Sequence, residues 1–414
     1  ACLDSVTGMT DELKRLIREF ETELAIIKGR VDGLEARVGE LESTQFSTTT
    51  KLKGQADFFM GAVSYDDRGD CVADGGDCED DQFSFSYRYT LNLNTSFTGK
   101  DLLYTRIRAG NMSNAWTNSN HYLSDAKSGG SELKVDKLWY TFPMGESFKV
   151  TVGALVENYY MVETPTRYKP ILKAFKLGGY GAVMGASTGQ GFGVQWRQNV
   201  DPGEAAFNIA ANYVADGGEG AKTENGLGMF GDDTDGLFLS QVGYGNRKWY
   251  LSGLYAYKHG KDGSSPAKGY STGYASTYDE ALHAFGVRGY WSPEENGFIP
   301  TVSAGVDFGF SDADVDGSAE EVFGWMIGLN WKDAFMEGNK LGMAVGSYSS
   351  YATEVKGDSD PDDSNFAIEG YYDFRVTDNI TVTPAVFYIQ DADGASQADG
   401  EDSLGALVKT TFKF

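Results

Sequence analysis

Three groups of side chains in this 414-residue chain have types and spacings that could do chemistry. The run "DADVDG" sets Asp312, Asp314, Asp316 and Gly317 at the spacing of the first half of a calcium loop. Phe323 stands where that loop needs its bidentate glutamate, so the run reads either as a solvated acidic loop or as a weak calcium site. The run "DDRGDCVADGGDCEDD" carries Cys71 and Cys78, for which a disulfide in an oxidising compartment is preferred over two free thiols. The third group is basic and aromatic. Within "NYYMVETPTRYKPILKAFKLGGYGAVMGASTG", Arg167, Lys169, Lys173 and Lys176 lie among Tyr159, Tyr160, Tyr168, Phe175 and Tyr180. Such a segment can attract anions and offer ring faces to a solute.

Catalytic signatures are absent from the sequence. The three histidines, His121, His259 and His283, form no HExxH or zinc-type spacing, and there is no nucleophile elbow. "KLGGYGAVMG" lacks the GK[ST] ending of a phosphate loop and reads as backbone permissiveness. No enzyme is expected, and no cofactor beyond weakly bound calcium in external loops. A net charge of −25 argues against nucleic-acid binding, which needs basic surface.

The elements that must position these groups have two periods. Leu13, Ile17, Phe20, Leu24, Ile27, Val31, Leu34, Val38 and Leu41 are spaced four and three apart, as in a coiled-coil seam. With Ile17, Leu24, Val31 and Val38 at a, the g residues Glu23, Arg30 and Arg37 face Lys28, Glu35 and Glu42 at e of a parallel neighbour, always with opposite sign. "RVDGLE" and "RVGELE" add an Arg stem over the seam with its head on Glu, a pattern of parallel trimers. The alternative is an amphipathic helix packed on its own domain. Gly29, Gly33 and Gly39 each weaken the helix by about 1 kcal/mol relative to Ala, so association has to support it.

From Thr48 the period becomes two. In "FSFSYRYTLNLNTSF" the residues Phe83, Phe85, Tyr87, Tyr89, Leu91 and Leu93 share one face, and Ser84, Ser86, Arg88, Thr90, Asn92 and Asn94 the other. Similar alternation recurs to the last strand, "LGALVKTTFKF", which ends at Phe414. No apolar run is long enough for a transmembrane helix, whereas 53 Gly, 24 Tyr and 25 Phe suit many short strands. Lipid outside and water inside explains the pattern better than a soluble sandwich. The short turns "FTGKD", "FPMGESF", "GYGNRKW" and "RVTDNIT" alternate with long loops rich in Asp, Gly and Ser, as in outer-membrane barrels. The fold class expected is therefore an all-β transmembrane barrel of about sixteen antiparallel strands preceded by an N-terminal α-helical coiled coil. Its boundaries are 1–8 for a preceding segment, 9–45 for a periplasmic stalk and 47–414 for the barrel.

The segment "ELKRLIREFETELAIIKGRVDGLEARVGELESTQFSTTTKL" resembles the stalk-to-barrel junction of cyanobacterial outer-membrane porins, often called iron uptake porins. "VDKLWYTFPMG" and "VTDNITVTPAVFYI" resemble strands of the related carbohydrate-selective porin family. In that family a surface-layer-homology domain precedes the stalk and binds peptidoglycan, and "ACLDS" looks like the end of such a domain. The resemblance implies a homotrimer in the cell outer membrane with its stalk in the periplasm, and peptidoglycan as a partner through that preceding domain. A lipid anchor on Cys2 is not expected, because Ala1 precedes it. The resemblance also implies that the basic third external loop folds into the lumen, where Arg167, Tyr168, Lys169, Lys173 and Lys176 join Arg88, Arg106 and Arg108 of the polar strand faces at a constriction. The expected function is passive diffusion of inorganic ions and small solutes, with some preference for anions. Two alternatives stay open: a structural envelope protein with little permeability, and a carbohydrate-selective channel.

Two outcomes follow from the heptad and the cysteine pair. Replacing Val31 and Leu34 by Asp should splay the stalk and reduce the trimer fraction in mild detergent, whereas a wild-type monomer would remove the stalk's assembly role. Mass spectrometry without reductant should find Cys71 bonded to Cys78, a short-loop closure contributing about 2–3 kcal/mol, and two free thiols would refute it.

Overall fold

In the computed structural model the described residues are 49–65, 83–112, 123–125, 130–185, 188–224, 226–260, 281–294, 297–311, 316–348, 350–357, 366–390 and 402–414, with helical residues scattered through 13–35. The chain divides into two units, Ala1–Lys51 and Leu52–Phe414. In the first, the described residues within 13–35 are α-helical. Seam positions Leu13, Phe20, Leu24, Ile27, Val31 and Leu34 are 45–64% exposed there. Ile17, Val38 and Leu41 lie outside the described residues, as do Cys71, Cys78, Asp312 and Asp314.

The strands of the second unit are all antiparallel. Its segments are β1 (Thr50–Tyr65), β2 (Ser84–Thr95), β3 (Leu102–Gly110), β4 (Gly130–Met144), β5 (Phe148–Glu157) and β6 (Thr188–Arg197). There follow β7 (Ala206–Asp216), β8 (Gly236–Gly245), β9 (Trp249–His259), β10 (Leu282–Trp291), β11 (Thr301–Ser311) and β12 (Ala319–Lys332). The last are β13 (Lys340–Gly346), β14 (Tyr351–Val355), β15 (Phe366–Arg375), β16 (Ile380–Gln390) and β17 (Ser403–Lys413). β13 and β14 pair with the two halves of β12 and so share one position in the wall, which makes sixteen strands from seventeen segments. β1 pairs with both β2 and β17, closing the barrel and leaving no open edge.

Alternation divides the wall as the sequence predicts. Phe85, Phe207, Ile209, Val287, Phe308, Val386 and Leu404 point outward and are exposed, while Ser86, Arg88, Thr90, Asn208, Asn212, Asp307 and Glu369 point inward and are buried. An apolar exterior and polar interior is what a strand spanning lipid around an aqueous lumen requires. The short turns fall at one end, with both barrel termini beside them, as Gln55 opposite Lys413 records.

Two irregularities serve the interior. A bulge between β3 and β4 pairs Arg106 with Lys137 and Ile107 with Val135, leaving Asp136 as the extra residue. The break between β13 and β14 is mended by Ser347, whose N–H donates to the Trp325 carbonyl and whose Oγ accepts from the Trp325 N–H at 3.0 Å. That break presents Ser350 to the lumen side.

Candidate functional site: a loop inside the barrel

A chain of irregular backbone can lie inside a barrel only if its N–H and C=O groups find partners there. The connection between β5 and β6 meets this condition at several points among the described residues. It leaves β5 through a short 3-10 helix, Asn158–Met161, and Glu163 then exchanges two hydrogen bonds with the Gln241 side chain of β8, at 2.8 and 3.0 Å. Ser303 of β11 accepts from the N–H groups of Arg167 and Tyr168 at 3.0 and 3.1 Å. Glu369 of β15, 1% exposed, accepts from the Tyr168 hydroxyl at 2.8 Å, the Ile171 N–H at 3.0 Å and the Leu172 N–H at 2.6 Å.

The return leg is fixed as firmly. Arg288 of β10 donates to both oxygens of Asp307 of β11, at 2.5 and 2.7 Å, and to the Leu177 carbonyl at 3.3 Å. Gly178 lies against Gly305, where an added Cβ would come within 1.9 Å of the Gly178 oxygen. Leu177 at φ 60° and Gly178 at φ 87° turn the chain there, the second at the lower cost of a residue without Cβ. Ser350 then accepts from the Ala182 N–H at 2.8 Å. Tyr168, Ile171, Leu172 and Phe175 pack with Phe59, Ala344, Ala367, Tyr371 and Phe387 of the wall, and Ala182, Val183 and Met184 pack with Leu237, Leu239, Leu254 and Leu282. "KPILKAFK" reads as a helix from Pro170, but only short 3-10 turns form within Lys173–Gly178, broken at Lys176 and Leu177. Residues 171 and 172 are held by Glu369 and by Ser124, whose N–H donates to the Ile171 carbonyl at 2.7 Å.

The charged groups sort into two classes. Arg88 donates to Asp57 at 2.5 Å and to Asp125 at 2.9 Å, and Lys409 donates to Asp125 at 3.0 Å. Arg106 chelates Asp136 at 2.9 and 3.0 Å and reaches the Tyr160 hydroxyl at 3.1 Å, while Arg108 lies 3.7 Å from Asp136. Lys176 donates to the Tyr159 hydroxyl at 2.8 Å with its ammonium 4.4 Å over that ring, and Lys173 sits 4.6 Å over the Tyr180 ring. Burial, reinforced by Lys176, pushes the Lys173 ammonium down to about 7. In the second class, Arg167 and Lys169 are exposed to a space of about 520 Å³ lined also by Asp125, Lys176, Lys340, Tyr371, Asp373, Lys409 and Lys413. A second space of about 430 Å³ shares Arg167, Lys169, Lys340, Tyr371 and Asp373 with the first, and it extends to Arg247, Lys248 and Lys332.

This barrel with a loop packed inside it is similar to solved porins. The structure of Pseudomonas putida OprB matches 88% of this chain and 94% of that one, at 14% identity and a TM-score of 0.57. An anion-selective porin from Comamonas acidovorans matches 88% and 99%, at 12% identity and a TM-score of 0.53. An uncharacterized protein of Nostoc sp. is 29% identical over all of this chain and 76% of its own length. Residues 10–414 match the model of the carbohydrate-selective porin family, OprB. The chain belongs to that family.

As a member of a porin family with a porin's barrel, it is an outer-membrane channel. Of the residues that the sequence singles out, Arg167, Tyr168, Lys169, Lys173 and Lys176 lie on the porin's inner loop, and Arg88, Arg106 and Arg108 face inward. Four of them, Arg167, Tyr168, Lys169 and Lys176, line the larger of the two spaces, and the other four do not. Arg88 and Arg106 are buried in pairs with acids, Tyr168 is 4% exposed and anchors the loop, and Lys173 and Lys176 rest on tyrosines. Asp316 is described at the turn before β12, without the rest of its acidic run. Sequence reasoning missed Asp125, Lys340, Lys409 and Lys413. The three lysines sit at inward positions of alternating strands, a signal available from the pattern, whereas Asp125 reaches the lumen from a loop and has no such signal.

Glu369→Ala would leave one hydroxyl and two backbone N–H groups of the inner loop without a buried acceptor, at about 1–3 kcal/mol each. Single-channel recordings of this variant should show larger and noisier conductance than the wild type. Unchanged conductance would mean that Glu369 does not hold the loop in place.

Proposed function

We propose that this porin passes inorganic ions and small solutes by passive diffusion, with a weak to moderate preference for anions set beside the inner loop. The observation that carries the reading is the charge around the larger space: Arg167, Lys169, Lys176, Lys340, Lys409 and Lys413 against Asp125 and Asp373. Charges at a narrow passage with protein walls are screened less than charges at an open mouth, where the Debye length is about 8 Å at physiological salt. The lumen therefore outweighs the acidic loops whose Asp residues give the chain its negative charge. Exposure of the heptad seam on a helix supports a parallel trimeric stalk in the periplasm, with barrels side by side in the outer membrane. A preceding peptidoglycan-binding segment would fasten that stalk to the wall.

A carbohydrate path is the second reading. It is favoured by the family and by a run of inward rings, with Tyr104 and Trp139 at 4.4 Å, Trp139 and Tyr160 at 5.1 Å, and Tyr160 and Tyr159 at 5.1 Å between centroids. Tyr160 is 43% exposed and could stack on a sugar face.

Reversal potentials under a KCl gradient test the first reading. Wild type should favour chloride, and Arg167→Gln with Lys169→Gln should reduce that preference by more than Lys173→Gln with Lys176→Gln. Clear cation selectivity, or no conductance at all, would overturn it, the latter in favour of a structural envelope role.

A further inference from the structure

Arg167 and Lys169 enter the chamber beside the inner loop from the loop itself, Lys340 from the start of β13 and Lys413 from the end of β17. Among the described residues, none of these three lysines forms an ion pair. Asp373 lies opposite Lys340 in register, but its carboxylate takes the Thr383 hydroxyl at 2.6 Å. Asp125, the other acid of the chamber, is already shared by Arg88 and Lys409. Burial, Lys340 and Lys413 push the Lys169 ammonium down against the opposing pull of Asp373 and Asp125, so like charges are held near one another here. Arg167 is oriented differently from the lysines. Its guanidinium carbon stands 4.6 Å over the Tyr290 ring, and one terminal nitrogen donates to that hydroxyl at 3.0 Å, leaving its other N–H groups available.

We propose that this chamber binds a phosphate-type dianion, held by Arg167, Lys169, Lys340 and Lys413 on its way through the pore. The inference rests on the anion-passing reading above and adds the substrate class. A dianion gains twice the Coulomb attraction of chloride at each distance, and relief of mutual repulsion between lysines grows with the charge it brings. Phosphate oxygens also accept from a guanidinium and from ammonium groups at the same time, each bond charge-assisted, whereas a halide offers one centre. The four cations are carried by three separate elements and the two acids of the chamber are already engaged, so a mobile anion can serve the cations together. At about 520 Å³ the chamber falls within the range of small-molecule sites, so the dianion can be inorganic phosphate or the head of a phosphorylated metabolite.

The test is KCl conductance of the full chain in planar bilayers, at mildly alkaline pH where phosphate is mainly the dianion. Inorganic phosphate and glucose 6-phosphate are titrated in separate arms, against nitrate at matched ionic strength. Saturable block by either phosphate, absent with nitrate, is the expected result, and the stronger arm identifies the source. Lys169→Gln, Lys340→Gln and Lys413→Gln should each raise the half-blocking concentration about three- to tenfold. Lys248→Gln, a lysine paired with Glu294 at the rim of the adjoining space, should leave it unchanged. Block that survives all three variants, or that weakens equally with Lys248→Gln, would overturn the site. An anion-selective channel without saturable block overturns this inference while leaving the proposed function intact, and a cation-selective or closed channel overturns both. Heat-modifiable gel mobility shows which variants are folded, and the wild-type blocking curve decides the matter if a variant is not.

Discussion

The interior of this barrel depends on one constraint: backbone carried away from a strand ladder into a confined space must find hydrogen-bond partners from the wall. Leaving a buried polar group without one costs about 1–3 kcal/mol, and the inner loop has many such groups. Gln241, Ser303, Glu369 and Ser350 each answer N–H groups of the loop, and Arg288 answers a carbonyl. These side chains stand on strands distributed around the wall, so the loop is held at several points rather than hinged at its ends. Small residues on both wall and loop complete the fit. A Cβ on Gly328 would lie 2.5 Å from the Tyr168 ring, and one on Gly181 would lie 2.4 Å from the Ser350 oxygen.

The same requirement decides which cations act on a passing solute. A unit charge pair at 4 Å is worth about 4 kcal/mol at an effective dielectric constant near 20, so a buried arginine with its own carboxylate presents little net field at a distance. Arg88, Arg106 and Lys137 are of this kind, matched to Asp57, Asp136 and Glu157. They stiffen the wall from β1 to β6. Lys169, Lys340 and Lys413 lack such partners among the described residues, and Arg167 is backed by an aromatic ring rather than an acid. Residue type alone does not separate these groups, because what matters is whether a carboxylate stands in reach.

That distinction explains what was legible in the sequence. Alternation of period two fixes which residues face the lumen, because a strand has no other way to dispose its side chains, and so the wall positions of Arg88, Asp307 and Glu369 could be read directly. The long basic connection after the fifth strand was legible as unusual, since its lysines and tyrosines contrast with acidic loops elsewhere. Pairing across the lumen was not legible. Glu369 meets Leu172 across 197 positions and no local pattern encodes such a meeting, just as none encodes the contact of Asp57 with Thr411 of the adjacent strand at the closing seam, 354 positions away. Nor does spacing foretell that Lys176, at the edge of the open space, is held against Tyr159, because that outcome belongs to loop packing.

The seam that closes the barrel shows how wall and lumen are joined. β1 and β17 are the ends of the barrel in sequence, so their pairing closes the largest loop the fold contains. At this seam Asp57 is fully buried and accepts from Arg88 of β2, Thr411 of β17 and Gln55 of its own strand. Arg88 passes its remaining terminal nitrogen to Asp125, which also holds Lys409 of β17, and Ser124 beside it donates to the inner loop at Ile171. One continuous polar chain therefore runs from the closing strands, through the 123–125 segment, to the inner loop. Breaking a buried pair by removing one partner leaves an uncompensated charge, which costs far more than the pair itself contributes. A change at Asp57 or Arg88 thus acts on closure and on the position of the loop together. The width of the passage is coupled to the integrity of the wall by the same few side chains.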